Sequence, residues 1–192
     1  MPTLGVAVGV SAPRAALSSR GSVTLVTVPS FTDAVQSHLD DVYGFLAYRL
    51  DSRSDAEDLT QATFERAYRA WGRYDPQRAS VRTWLLAIAR NLLIDQYRSS
   101  KLRGDRPLED AASLAAPEDR LDLGLDSRLG AALARLAPRE REIIALRFGG
   151  DLTGPEIARV TGLTLANVQQ ILSRSLRRLR TELEPAPEPE DR

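Results

Sequence analysis

The residues best suited to chemistry lie near the end of the chain, between Leu163 and Leu183, and the chemistry they suit is binding. Gln170, Ser173, Arg174 and Arg177 share one helical face with Ala166 at about 100° per residue. Leu165, Val168, Leu172, Leu176, Leu179 and Leu183 form a narrow apolar stripe on the opposite face. Four Arg and no acid stand between Gly162 and Arg180. Amides, hydroxyls and guanidinium groups in such an array match base edges and phosphate oxygens in a DNA major groove. The plainer alternative is an amphipathic helix with a solvated Arg face.

Two further sets follow the same logic. In Val81 to Arg98, apolar residues cover more than half the helix circumference, yet Thr83, Arg90, Asn91 and Arg98 share an arc of about 100°. Arg and Asn so close to a core need partners. Those partners are either an Asp of the preceding helix, through a salt bridge, or nucleic acid, with Lys101, Arg103 and Arg106 extending the face. Trp84 points to the apolar side and is assigned to the core. In Asp55 to Trp71, Glu57, Asp58, Gln61, Glu65, Tyr68 and Arg69 line one side, a solvated face or a dock for a basic partner.

Catalysis finds no foothold. The chain has no Gly-rich phosphate loop and no nucleophile-and-base pair. It has no Cys and a single His, His38, so thiolate and His-based metal sites are excluded and no cofactor is expected. No apolar run is long enough to span a membrane.

The elements that must position these residues are all helical. Apolar residues recur from Thr32 to Tyr48. Ser54-Asp-Ala-Glu57 reads as a capping box for the second helix, and Ser80 as the cap of the third. A second block starts at Ser127, read as the cap of a helix to about Leu136. Pro138 suits the first position of the next helix, to about Phe148, which Gly149-Gly150 stops. Thr153-Gly-Pro-Glu156 is another capping box, Gly162 closes that short helix, and Thr164 caps the long one. Short helix, glycine turn and long basic helix make a helix-turn-helix. The expected architecture is all-α: two small helical domains, 31–100 and 127–183, joined by an acidic flexible linker, 101–126. Residues 1–30 are expected to form a disordered extension and 184–192 a disordered acidic tail.

A net charge of zero conceals alternating blocks. Phe31 to Pro76 has five basic and nine acidic residues, Arg82 to Arg106 six and two, Pro107 to Ser127 one and six, Arg128 to Arg180 ten and four. Two basic blocks beside acidic ones point to two nucleic-acid contacts, with other surfaces facing other partners.

The strings DAEDLTQATFERAYRAWGRYDP, VRTWLLAIARNLLIDQYR and LARLAPREREIIALRFGGDLTGPEIARVTGLTLANVQQILSRSLRRLR, in that order, resemble bacterial RNA polymerase sigma factors of the extracytoplasmic-function (ECF) group. The resemblance implies sigma region 2 in the first block and region 4 in the second. It implies that Asp58, Gln61 and Glu65 dock on the β′ clamp helices of core polymerase, with the β flap as a second polymerase contact. It assigns the −10 promoter element and its opened strand to Arg78, Ser80, Arg82, Arg90, Asn91 and Arg98, and the −35 element to Gln170, Ser173, Arg174 and Arg177. An anti-sigma protein, a cytoplasmic location and the absence of enzymatic activity are implied as well. Three positions depart from the family pattern. Ile171 replaces a common basic residue, Pro155 a polar one, and Gln169-Gln170 a more usual Lys-Ser pair, implying an unusual −35 preference or a weak −35 contact. The competing reading is a helix-turn-helix regulator that binds duplex DNA without polymerase.

Overall fold

Most of the helices begin after a short polar side chain that accepts a backbone hydrogen bond, or at a proline. A computed structural model describes residues 29–50, 52–102 and 127–184, and among these no strand occurs. Helix α1 spans Phe31–Ala47, α2 Arg53–Ala70, α3 Val81–Leu102, α4 Ser127–Ala134, α5 Pro138–Ile144, α6 Gly154–Thr161 and α7 Leu165–Leu183. The expected extension 1–28, the linker from 103 to 126 and the tail from 185 lie outside the described residues.

Ser30 caps α1 through a full capping box with Asp33, so the ordered first block reaches one residue into the expected extension. The cap of α2 is Ser52, whose hydroxyl accepts from the Asp55 amide at 3.2 Å, and not Ser54 as the sequence pattern suggested. Helix geometry begins at Arg53, which places Ser54 inside the first turn, and Glu57 is held by Arg53 at 2.8 Å instead of reaching back. The Thr153–Glu156 reach-back, the Ser80 cap and the Thr164 cap form as expected. Gly162 takes the left-handed conformation, φ 71°, that ends α6.

Three helix ends differ from expectation. Helix α3 runs on to Leu102, into the predicted linker, and α4 stops at Ala134. Helix α5 ends at Ile144 and passes into a wide π turn, Ala145–Gly149, closed by Gly150 N donating to Ala145 O at 2.9 Å. The widened turn brings the glycine pair against α1. A β carbon added to Gly149 would stand 2.6 Å from Gly44 O, and one added to Gly44 2.6 Å from Gly149 O. Only hydrogen on both sides permits this backbone approach.

That approach ties the two blocks together. Val42, Phe45 and Leu46 of α1 and Leu85 and Leu86 of α3 share one core with Ile143, Leu146, Leu152, Ile157 and Val168. A smaller cluster, Ala132, Leu133, Leu136, Ile144 and Leu179, fastens α4 to α5 and α7. The buried side of α7 is Val168, Ser175 and Leu179, while Leu165 and Leu176 of the predicted stripe are exposed.

Candidate nucleic-acid interface

Helix α7 presents Gln170, Ser173, Arg174 and Arg177 to solvent, all exposed. The −35 candidates thus form one continuous polar strip on a helix whose other side is anchored by Val168 and Leu179. Ile171 is half-buried against the core, which accounts for an apolar residue at that position.

The −10 candidates divide into two groups. Arg78, Asn91 and Arg98 are exposed. Ser80, Arg82 and Arg90 face the second block and meet carboxylates there. Arg90 Nε donates to Glu142 Oε1 at 2.7 Å, with side chains 18% and 10% exposed. Arg82 Nη1 donates to Asp151 Oδ2 at 2.7 Å and to its carbonyl at 3.2 Å, while its Nε donates to Asp41 at 2.9 Å. Buried Thr83 donates from Oγ1 to Glu156 Oε1 at 2.9 Å, and Ser80 Oγ to the same oxygen at 3.4 Å. The partner of Arg90 is therefore a Glu of α5 and not an Asp of the preceding helix. Backbone groups add to this junction: Arg49 Nη1 donates to Pro138 O at 2.9 Å and Arg159 Nη1 to Arg78 O at 3.4 Å.

The junction perturbs two of its own groups. Burial pushes the Arg49 guanidinium below its usual value. Burial would raise the Glu156 carboxyl, but hydrogen bonds from Thr153, Thr83 and Ser80 outweigh it and hold Glu156 below the usual carboxylate value. Asp151 sits at φ 48°, a conformation that Asp tolerates better than most residues.

Asp58, Gln61 and Glu65 are exposed together on α2, away from the junction. Gln61 Nε2 donates to Glu65 Oε1 at 3.1 Å, one helical turn along the same face. Beside it lies a group that the sequence reading passed over. Phe31, Tyr68, Trp71, Tyr74 and Trp84 form a connected aromatic cluster, with Trp71 and Tyr74 stacked at 5.3 Å and Trp71 and Trp84 edge-on at 5.8 Å. Trp84 is half-buried: it packs against the main core, as assigned from the sequence, and also joins this cluster. The signal was present as two Trp and three other rings within about one chain segment, but helical periodicity does not reveal rings that meet across a loop.

Comparison with known proteins gives this geometry a frame. The Sigma-70 region 2 family model matches residues 34–103, and the Sigma-70 region 4 model matches residues 132–181. The ECF RNA polymerase sigma factor RpoE of Cereibacter sphaeroides is 34% identical over 161 residues, covering 80% of this chain and 86% of that protein. The chain belongs to the ECF sigma factor family. The ECF sigma factor BldN of Streptomyces coelicolor is 35% identical over 158 residues, which cover 78% of this chain and 59% of BldN. Among solved structures, RpoE of Bartonella quintana in complex with the anti-sigma factor NepR shares the fold, at a TM-score of 0.65 and 22% identity over 81% of this chain and 98% of that one. CnrH in complex with the cytosolic domain of CnrY gives a TM-score of 0.56 at 26% identity, over 80% of this chain and 86% of that one. ECF sigma factors are RNA polymerase-associated factors for promoter-specific initiation and are not enzymes, which disfavours the polymerase-independent regulator. Among the described residues no helix is long and apolar enough to cross a membrane.

Proposed function

We propose that this chain is a promoter-specificity subunit, acting in the cytoplasm, that catalyses nothing itself. It binds core polymerase through Asp58, Gln61 and Glu65 on the β′ clamp helices, with the β flap as a second contact. Helix α7 reads the −35 element as duplex through Gln170, Ser173, Arg174 and Arg177. The loop and helix carrying Arg78, Ser80, Arg82, Arg90, Asn91 and Arg98 take the −10 element and its opened strand. The units are residues 31–100 and 127–183, with 101–126 as the tether between them. Opening follows from differential binding: a surface that holds the unpaired strand better than the duplex shifts the equilibrium toward melted DNA. An anti-sigma protein is the expected regulatory partner, as for the solved relatives whose complexes contain one.

The observation that carries this reading is the presence, in order on one chain, of the two sigma regions, each with its candidate face on a helix. The test is transcription in vitro with core polymerase on genomic fragments. Start-site selection that appears only when the chain is added supports the reading; polymerase association without start-site choice overturns it.

A further inference from the structure

Among the described residues, one of the four Arg on α7 meets carboxylates. Arg178 stands 3.1 Å from Glu182 and 3.8 Å from Glu140. Arg174, Arg177 and Arg180 are exposed, and no described carboxylate pairs with them. Glu184 ends the helix on their side: it stands four positions after Arg180 and seven after Arg177, spacings that share a helical face. There the backbone leaves the helix, at φ −60° and ψ 127°, and the sequence continues Pro-Ala-Pro-Glu-Pro-Glu-Asp-Arg, with acids at Glu188, Glu190 and Asp191. We propose that residues 185–191 turn back along α7 and set Glu188, Glu190 and Asp191 against Arg174, Arg177 and Arg180, so that the chain's own acidic segment competes with duplex DNA for this strip. The competition rests on the −35 reading of α7; the docking does not.

Reach and charge both fit. Along the helix, Arg177 lies roughly 10 Å and Arg174 roughly 15 Å before Glu184, at about 1.5 Å per residue. Extended chain covers about 3.3 Å per residue, so Glu188 can draw level with Arg177 within roughly 13 Å of chain. Asp191, within roughly 23 Å, passes Arg174 with slack for a turn and for the length of the Arg side chains. The acid inside the helix cannot do this work, because Glu182 is already held by Arg178 and Arg135. Exposed ion pairs of this kind are weak and screened by salt, so they yield to a better anion. A duplex offers about one phosphate charge per 1.7 Å of axis, a denser array than the acidic segment presents. The segment therefore loosens α7 from DNA in general, and a site that adds base contacts still displaces it.

The experiment uses the full chain with Arg192→Cys carrying a nitroxide, since the sequence has no Cys. Broadening of backbone amide signals on α7 reports docking, and fluorescence anisotropy of a short mixed-sequence duplex reports DNA binding by the unlabelled chain. Both are compared with Glu188→Gln plus Glu190→Gln, and with a charge-matched control on the first block, Asp40→Asn plus Asp95→Asn, two exposed positions. The expected broadening falls on Ser173, Arg174 and Arg177, is removed by the paired Gln variant and by about 1 M salt, and is kept by the control. The Gln variant should also bind the duplex at least about threefold more tightly than the control at low salt, as the loss of screened surface pairs predicts. Broadening that is the same with and without the two acids overturns the proposal. So does broadening that fades on dilution, which would assign the acids to a second copy. Docking without the gain in binding overturns the competition, and Arg177→Ala in the same duplex assay then separates the causes. A fall in affinity leaves the −35 reading intact and removes only the competition; no fall removes the −35 reading as well.

Discussion

Arg90 and Asn91 are neighbours in sequence and part company in the fold. Arg90 turns to Glu142, whereas Asn91 stays in solvent, so the polar arc read along α3 serves two environments. The need of Arg90 for a partner was legible from its place beside apolar residues. The partner was not, because Glu142 lies 52 positions away and helical periodicity carries no information about what a face meets. The exposure of Gln170, Ser173, Arg174 and Arg177 was legible in full, since it follows from the local pattern alone. Two residue-level predictions separate the two DNA contacts. Arg174→Ala should reduce −35-dependent initiation by about 1–3 kcal/mol of binding, measured as promoter affinity over a range of salt. Asn91→Ala should slow strand opening, followed by permanganate reactivity, while leaving closed-complex affinity within about twofold. Equal losses at both steps for both variants would contradict that division. Glu156 adds a pH dependence. Burial raises its pKa, hydrogen bonds from Thr153, Thr83 and Ser80 outweigh that, and its folded value lies below the ordinary 4.5, so its contribution to stability is complete above that value and is lost as pH falls through the lower folded one. Acid titration of the melting temperature should therefore show a loss of stability below about pH 4.5, and Glu156→Gln should remove that part of the titration.

At the scale of elements, the turn at Ala145–Gly149 governs how α1 and the second block meet. The sequence reading took Gly149-Gly150 as a helix stop, which is correct, but gave no role to Gly44 in the last turn of α1. A glycine inside a helix costs roughly 1 kcal/mol against Ala, and the reason for Gly44 lies in the backbone of Gly149, visible only in three dimensions. Gly149→Ala should destabilise the fold by about 1–3 kcal/mol through overpacking. It would be read as a lower melting temperature with helicity at room temperature unchanged. An unchanged melting temperature would mean that the contact yields without cost. The caps show the same split between local and distant information. Thr153, Thr164 and Ser80 were readable because a cap is decided within four residues. Ser52 takes the cap and Ser54 falls inside the first turn, where Arg53 holds Glu57, a choice between nearby serines that the capping pattern alone does not reveal.

For the whole molecule, the all-helical class and both functional blocks were readable from periodicity, punctuation and charge. The shared core was not: a linker-like stretch between two helical blocks gives no hint whether they touch. Because α2's outer face lies apart from the junction, polymerase docking should be separable from folding. Asp58→Arg should weaken association with core polymerase at least tenfold while leaving the melting temperature unchanged, as expected for an exposed position. The aromatic cluster has one more implication. Both tryptophans, Trp71 and Trp84, belong to it, and the second block contains neither Trp nor Tyr. Ultraviolet emission and near-ultraviolet absorbance are therefore reporters of the first half alone, and α7, at the far end of the second block, could melt in the cuvette with scarcely a trace in either spectrum.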